Sequence, residues 1–146
     1  MIDVWTLVRF VHVVGAALWV GGQLTLTAVV LPPVRALLGL EQRATLLRSV
    51  GRRFAVVTMA VLLPSQIATG WLLAWRHGVT WQSLAEPGYG RVLVAKLTLF
   101  ALVMAATSVH GIAQGKGRPR LARTASVAAL TGSLGVVLLA TGLVGG

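Results

Sequence analysis

The densest chemistry in the chain lies between Phe10 and Gly22, in the string Phe-Val-His-Val-Val-Gly-Ala-Ala-Leu-Trp-Val-Gly-Gly. His12, Gly15, Trp19 and Gly22 are spaced i, i+3, i+7 and i+10, which places them on one stripe of an α-helix. An imidazole, a small residue, a large aromatic and a second small residue make either a docking face for a flat cofactor or an ordinary helix-packing face. A neutral imidazole is a usual axial ligand of haem iron. Gly15 and Gly22 would let a ring or another backbone come close. Arg9 stands at i−3 from His12, and Lys96 is a second cation within an apolar run. Both would neutralise the propionates of an anionic, flat ligand. Ionisable groups within a membrane span mark functional sites by default. The plain structural alternatives are a His12 hydrogen-bonded across helices and a Lys96 that snorkels outward.

Other chemistries fit less well. The chain has no cysteine, which removes disulfides, thiolate metal sites and iron–sulfur clusters. Cuprous ion asks for thiolate, thioether or clustered imidazole ligands. Here Met1, Met59 and Met104 are scattered, and His12, His77 and His110 fall in different segments. No His-x3-His spacing for zinc exists. Asp3 is the only aspartate, so no Ser-His-Asp set can form within a membrane.

The elements that position these residues follow from composition and hydropathy. Of 146 residues, 56% are hydrophobic and 11% charged, where a soluble domain carries about 25% charged residues. The expected class is an all-α integral membrane protein, a single domain over 1–146 built as a four-transmembrane-helix bundle. The spans are expected at about 4–31, 54–75, 91–113 and 121–144, each near or above the roughly 20 residues a bilayer core requires. The N-terminus lacks the basic start of a secretory signal, so the first apolar run is expected to be a retained span. Pro32-Pro33 is expected to end it. Residues 34–53, with Leu37, Leu40, Ala44, Leu47 and Phe54 on one side and arginines elsewhere, read as a separate amphipathic helix in the membrane interface between spans one and two. Pro64 should bend the second span. Gln66 should face another helix and make a structural hydrogen bond. Gly132, Ser133 and Gly135 should allow the fourth span to pack closely.

The net charge of +10 is a topology signal and not a nucleic-acid signal. Nine of the thirteen basic residues fall in 35–53 and 116–123, flanking apolar runs. The positive-inside rule then puts the loops 34–53 and 114–123 in the cytoplasm and both termini outside, in a bacterial-type cytoplasmic membrane. On that topology His12 lies about 12 Å and Lys96 about 8 Å below the outer surface, at 1.5 Å per residue. His110 falls nearly 30 Å down, by the same measure, near the cytoplasmic face. His77 sits at the outer edge. Partners are then the lipid bilayer and either a second copy in a homodimer or a membrane redox protein.

The string from His12 to the glycine pair Gly21-Gly22, with Trp19 between, resembles the first-helix motif of CopD-type membrane domains, named for copper resistance. The third span, from Lys96 to His110-Gly111 with a basic turn after it, is similar to that group and to the related HemJ-type protoporphyrinogen oxidases. HemJ-type chains carry Leu-Pro-Arg and a later histidine after the first span, where this chain has Leu31-Pro-Pro-Val-Arg35 and no histidine nearby. The resemblance implies a small four-helix protein with haem b, in which a first-helix histidine and a third-helix lysine are functional. The matching positions are His12 and Lys96. The expected function is that of a b-type haem-binding membrane protein with a redox or electron-transfer role, with oxidoreductase activity of the HemJ-like type as an open possibility. His12 is its axial ligand, Gly15, Trp19 and Gly22 line the ring, and Arg9 and Lys96 meet the propionates. Copper transport or resistance of the CopD type is one alternative, and a non-catalytic membrane subunit or homo-oligomer is the other.

Overall fold

The structure is a computed structural model that describes residues 3–144. It is all-helical among those residues, with one short 3-10 turn at Ser83–Ala85. Four helices are long and apolar enough to cross a membrane: α1 (Val4–Leu37), α2 (Leu40–Arg76), α3 (Tyr89–Gly115) and α4 (Pro119–Val144). The chain divides into two compact units, Met1–Gly78 and Val79–Gly146.

In the first unit α1 and α2 form an antiparallel pair. Asp3 starts α1 as its N-cap, accepting from the Thr6 amide and hydroxyl at 2.7 Å each. These bonds hold its carboxyl below the usual carboxylate range. At the same end Trp5 packs against Trp75, ring centroids 6.3 Å apart. The Arg76 guanidinium lies 4.7 Å over the Trp5 ring, a cation–π contact.

Two expectations about this unit are corrected. Pro32-Pro33 does not end the first helix, which runs on to Leu37. Residues 34–53 are not a separate helix either: the break comes at Leu38 and Gly39, both extended, and Leu40–Arg76 is continuous. The physical reason is the same at all three prolines. A proline clashes with the carbonyl four residues earlier and cannot donate to it. For Pro32, Pro33 and Pro64 those carbonyls belong to Ala28, Val29 and Ala60. All three lie in π-helical turns, Thr25–Val30 in α1 and Thr58–Leu62 in α2. The wider turn displaces the carbonyls and lets the helix pass through the proline.

In the second unit α3 and α4 pack along their length, joined by a turn in which Gly117 has φ +64°. Gly132 and Gly135 bring the helices together. A Cβ at Gly132 would stand 2.5 Å from Val103 Cγ2, and one at Gly135 would stand 2.9 Å from Leu99 Cδ2. The close packing expected of the fourth span is therefore present. Ser133 is fully buried and returns its hydroxyl proton to the Ala129 carbonyl at 2.8 Å. His110 Nδ1 donates to the Ala122 carbonyl at 2.8 Å, tying the two helices together beside the turn. The loop before α3 is held by Gly90, which packs directly on the Ser83–Leu84 backbone, leaving no room for a side chain.

Candidate functional site

His12 sits about a quarter of the way along α1 and faces α2. Its Nδ1 lies 2.8 Å from Thr69 Oγ1. The Thr69 hydroxyl has one proton, and it goes to the Ser65 carbonyl one turn back, at 2.5 Å. Thr69 Oγ1 can then only accept from His12, so the imidazole carries its hydrogen on Nδ1. In the neutral ring the lone pair is therefore on Nε2. Thr69 is buried and His12 half-buried. The ring rests over Gly70, where a Cβ would lie 3.3 Å from His12 Cε1.

The backbone of the same residue is also held. Gln66 Nε2 donates to the His12 carbonyl at 2.8 Å. This is the interhelical hydrogen bond expected of Gln66. Ser65 turns its hydroxyl to the Leu62 carbonyl at 2.8 Å, next to Pro64. Gln66, Thr69 and Gly70 follow helical spacing on α2 and form the surface on which His12 is seated.

The rest of the stripe meets protein as well. A Cβ at Gly15 would fall 2.4 Å from Gln66 Nε2, and one at Gly22 would fall 2.5 Å from Phe54 Cε2. Trp19 is buried, 7% exposed. His12, Gly15, Trp19 and Gly22 thus come together on one face as their spacing predicts. The near side of both glycines is filled by α2 side chains in place of an open ring-sized slot. Arg9 is exposed one turn before His12. Lys96 is half-buried on α3, in the second unit.

The remaining histidines are placed differently. His110 is engaged at the α3–α4 turn, as above. His77 is exposed and closes the end of α2, its amide donating to the Leu73 carbonyl at 3.1 Å. Among the described residues no group of three or more His, Cys, Asp or Glu side chains comes together to hold a metal ion. Met59 and Met104 stand in different units, and Met1 lies outside the described residues. The positions that sequence reasoning did not attach to the site are Thr69, Gly70 and Phe54. A small-and-polar run on α2, Ser65-Gln-Ile-Ala-Thr-Gly70, was the available signal for the first two. Nothing in the spacing of α1 pointed to Phe54.

The chain matches no family model, no curated protein and no solved structure.

Proposed function

We propose that this is a multi-pass protein of a bacterial-type cytoplasmic membrane that holds a b-type haem through His12 and serves a redox or electron-transfer role. The observation that supports it is the Thr69–His12 hydrogen bond. Metal-ligating histidines characteristically donate their other ring N–H to a fixed acceptor, which sets the tautomer and aims the ring. Thr69, itself locked by Ser65, is such an acceptor. Haem b would supply reversible one-electron chemistry at its iron. The chain's own part is to orient the imidazole, shield it within the helix pair and offer Arg9, one turn before His12, as a cation for a propionate. The proposed orientation puts both termini outside and residues 34–53 and 114–123 in the cytoplasm. The shared end of Asp3, Trp5, Trp75 and Arg76 supports placing the N-terminus and the 76–90 loop on one side.

Absorption spectra of the full chain, purified after haem-replete expression, test this reading. A Soret band that disappears in His12→Ala is expected. Thr69→Val should weaken haem retention by about 10–100-fold, the usual effect of removing an outer-shell partner. A wild-type protein without a Soret band sinks the reading. Stoichiometric copper in its place would move the function to the CopD-like alternative.

A second reading is favoured by the filled glycine positions: a non-catalytic subunit or homo-oligomer in which the His12 stripe is a packing face. Gln66 and Phe54 occupying the space beside Gly15 and Gly22 supports it. It predicts that His12→Ala lowers thermal stability without any spectral change.

A further inference from the structure

We propose that the stripe Thr45, Arg48, Ser49, Arg52 and Arg53 on α2 is a binding site for the phosphate of an anionic phospholipid, with an acyl chain running up Val56 and Val57. These seven side chains line one shallow groove. Their spacing, i, i+3, i+4, i+7, i+8, i+11 and i+12, keeps them along one side of a single helix. All seven are exposed, with Val56 at 58% and Val57 at 50%. The proposal rests on membrane residence and is independent of haem.

The chemistry of the groove is graded along the helix. Three guanidinium groups and two hydroxyls sit within about two and a half turns, at 3.6 residues per turn. Guanidinium groups match phosphate oxygens in a planar fork, and hydroxyls add further donors. Immediately beyond, α2 becomes apolar from Phe54 to Leu63, broken only by Thr58. The polar section therefore lies where headgroups meet hydrocarbon, and the valines continue it at acyl-chain depth. Arg53 to Val57 is about 6 Å at 1.5 Å per residue, short enough for one lipid to touch both.

Charge complementarity points outside the protein. The sequence has three acidic residues, Asp3, Glu41 and Glu86. Asp3 caps the far end of α1, and Glu86 belongs to the second unit. Glu41 is the only acid on α2 and lies about 10 Å along the helix from Arg48. An anion supplied by the membrane is the partner that this arginine group lacks among the described residues of its own unit. A zwitterionic lipid offers the same phosphate but brings a cation with it, so the groove should select a net negative headgroup.

Native mass spectrometry of the full chain in neutral detergent reads the site directly, with phosphatidylglycerol and phosphatidylcholine as the two probes. Phosphatidylglycerol should bind one-to-one and at least tenfold more tightly than phosphatidylcholine. The variant Arg48→Gln/Arg52→Gln/Arg53→Gln should lose about a hundredfold in affinity, at roughly one surface charge interaction per arginine. The control Arg118→Gln/Arg120→Gln/Arg123→Gln changes net charge equally and should bind as wild type. Equal loss in both triple variants, or no headgroup preference, overturns the proposal. If the first triple variant does not fold, the triple Arg→Lys variant keeps the charge and removes the fork. It should bind at least fivefold more weakly, and unchanged binding overturns the proposal. Glycerol 3-phosphate, which lacks acyl chains, should not displace the lipid at equal concentration. Displacement would assign the groove to a soluble phosphate ester and overturn the lipid. Membrane residence is read separately, by retention of the chain in membranes washed with alkaline carbonate. A chain that washes out fails that reading. A retained chain without headgroup selectivity fails only the site.

Discussion

At the scale of single residues, His12 owes its character to α2 more than to its own helix. Thr69 fixes its tautomer, Gly70 makes room for its ring and Gln66 holds its carbonyl. The glycines of the stripe serve the same contact. Gly22→Ala would drive a methyl group into the Phe54 ring, whose Cε2 and Cζ lie 2.5 and 3.1 Å from the new atom. A ring on a packed helix yields less than the end of a flexible chain. Thermal unfolding in detergent should show a loss of about 1–3 kcal/mol, the usual range for overpacking. Phe54→Leu in the same background should return part of it, a non-additive pair as expected of side chains in contact. Additive effects would mean that the two residues do not meet. The spacing of the stripe was readable from α1 alone, because helical periodicity is local. What fills the stripe was not, because Phe54 is 32 positions from Gly22 in sequence and no local pattern links them.

At the scale of elements, the apolar spans were readable and their ends were not. Hydropathy identifies a run of side chains, whereas a helix end is decided by backbone hydrogen bonding. Pro32-Pro33 has the look of a stop signal, yet the preceding π turn absorbs both rings and moves the break to Leu38 and Gly39. The same device at Thr58–Leu62 leaves the buried Thr58 hydroxyl without a hydrogen-bond partner among the described residues. The α3–α4 pair shows the opposite case, where sequence and structure agree because small residues act by size alone. Gly132→Leu should separate that pair, since even a Cβ meets Val103 Cγ2 at 2.5 Å and Val103 is only 2% exposed. The expected outcome is a fall in thermal stability of at least about 2 kcal/mol, from overpacking and an unseated core residue. Thr131→Leu, an exposed neighbour on α4, should change stability by less than about 0.5 kcal/mol, as surface sites usually do. A similar loss in both variants would place the helix contact elsewhere.

At the scale of the whole molecule, the governing quantity is an imbalance of thirteen basic against three acidic residues, with nine of the bases gathered in two segments. In a membrane chain such gathering orients the loops, since Lys and Arg are retained on the cytoplasmic side. The absence of cysteine makes that orientation measurable, because every introduced thiol is the only one present. Gln82, in the loop before α3, and Gln114, at the end of α3, are both exposed and stand at opposite ends of one helix. The Gln82→Cys variant should react with a membrane-impermeant maleimide in intact cells. The Gln114→Cys variant should react only after lysis, and Gln42→Cys at the start of α2 should behave like Gln114→Cys. The reverse pattern would invert the orientation, moving His12 to the cytoplasmic half and Arg43, Arg48, Arg52 and Arg53 to the outer side. Reaction of Gln82→Cys and Gln114→Cys alike in intact cells would mean that α3 does not cross, and the depth argument for His12 and Lys96 would fall with it. The expected pattern leaves His12 within one leaflet of the outer surface, the depth at which an outward-facing redox partner would reach a haem bound there.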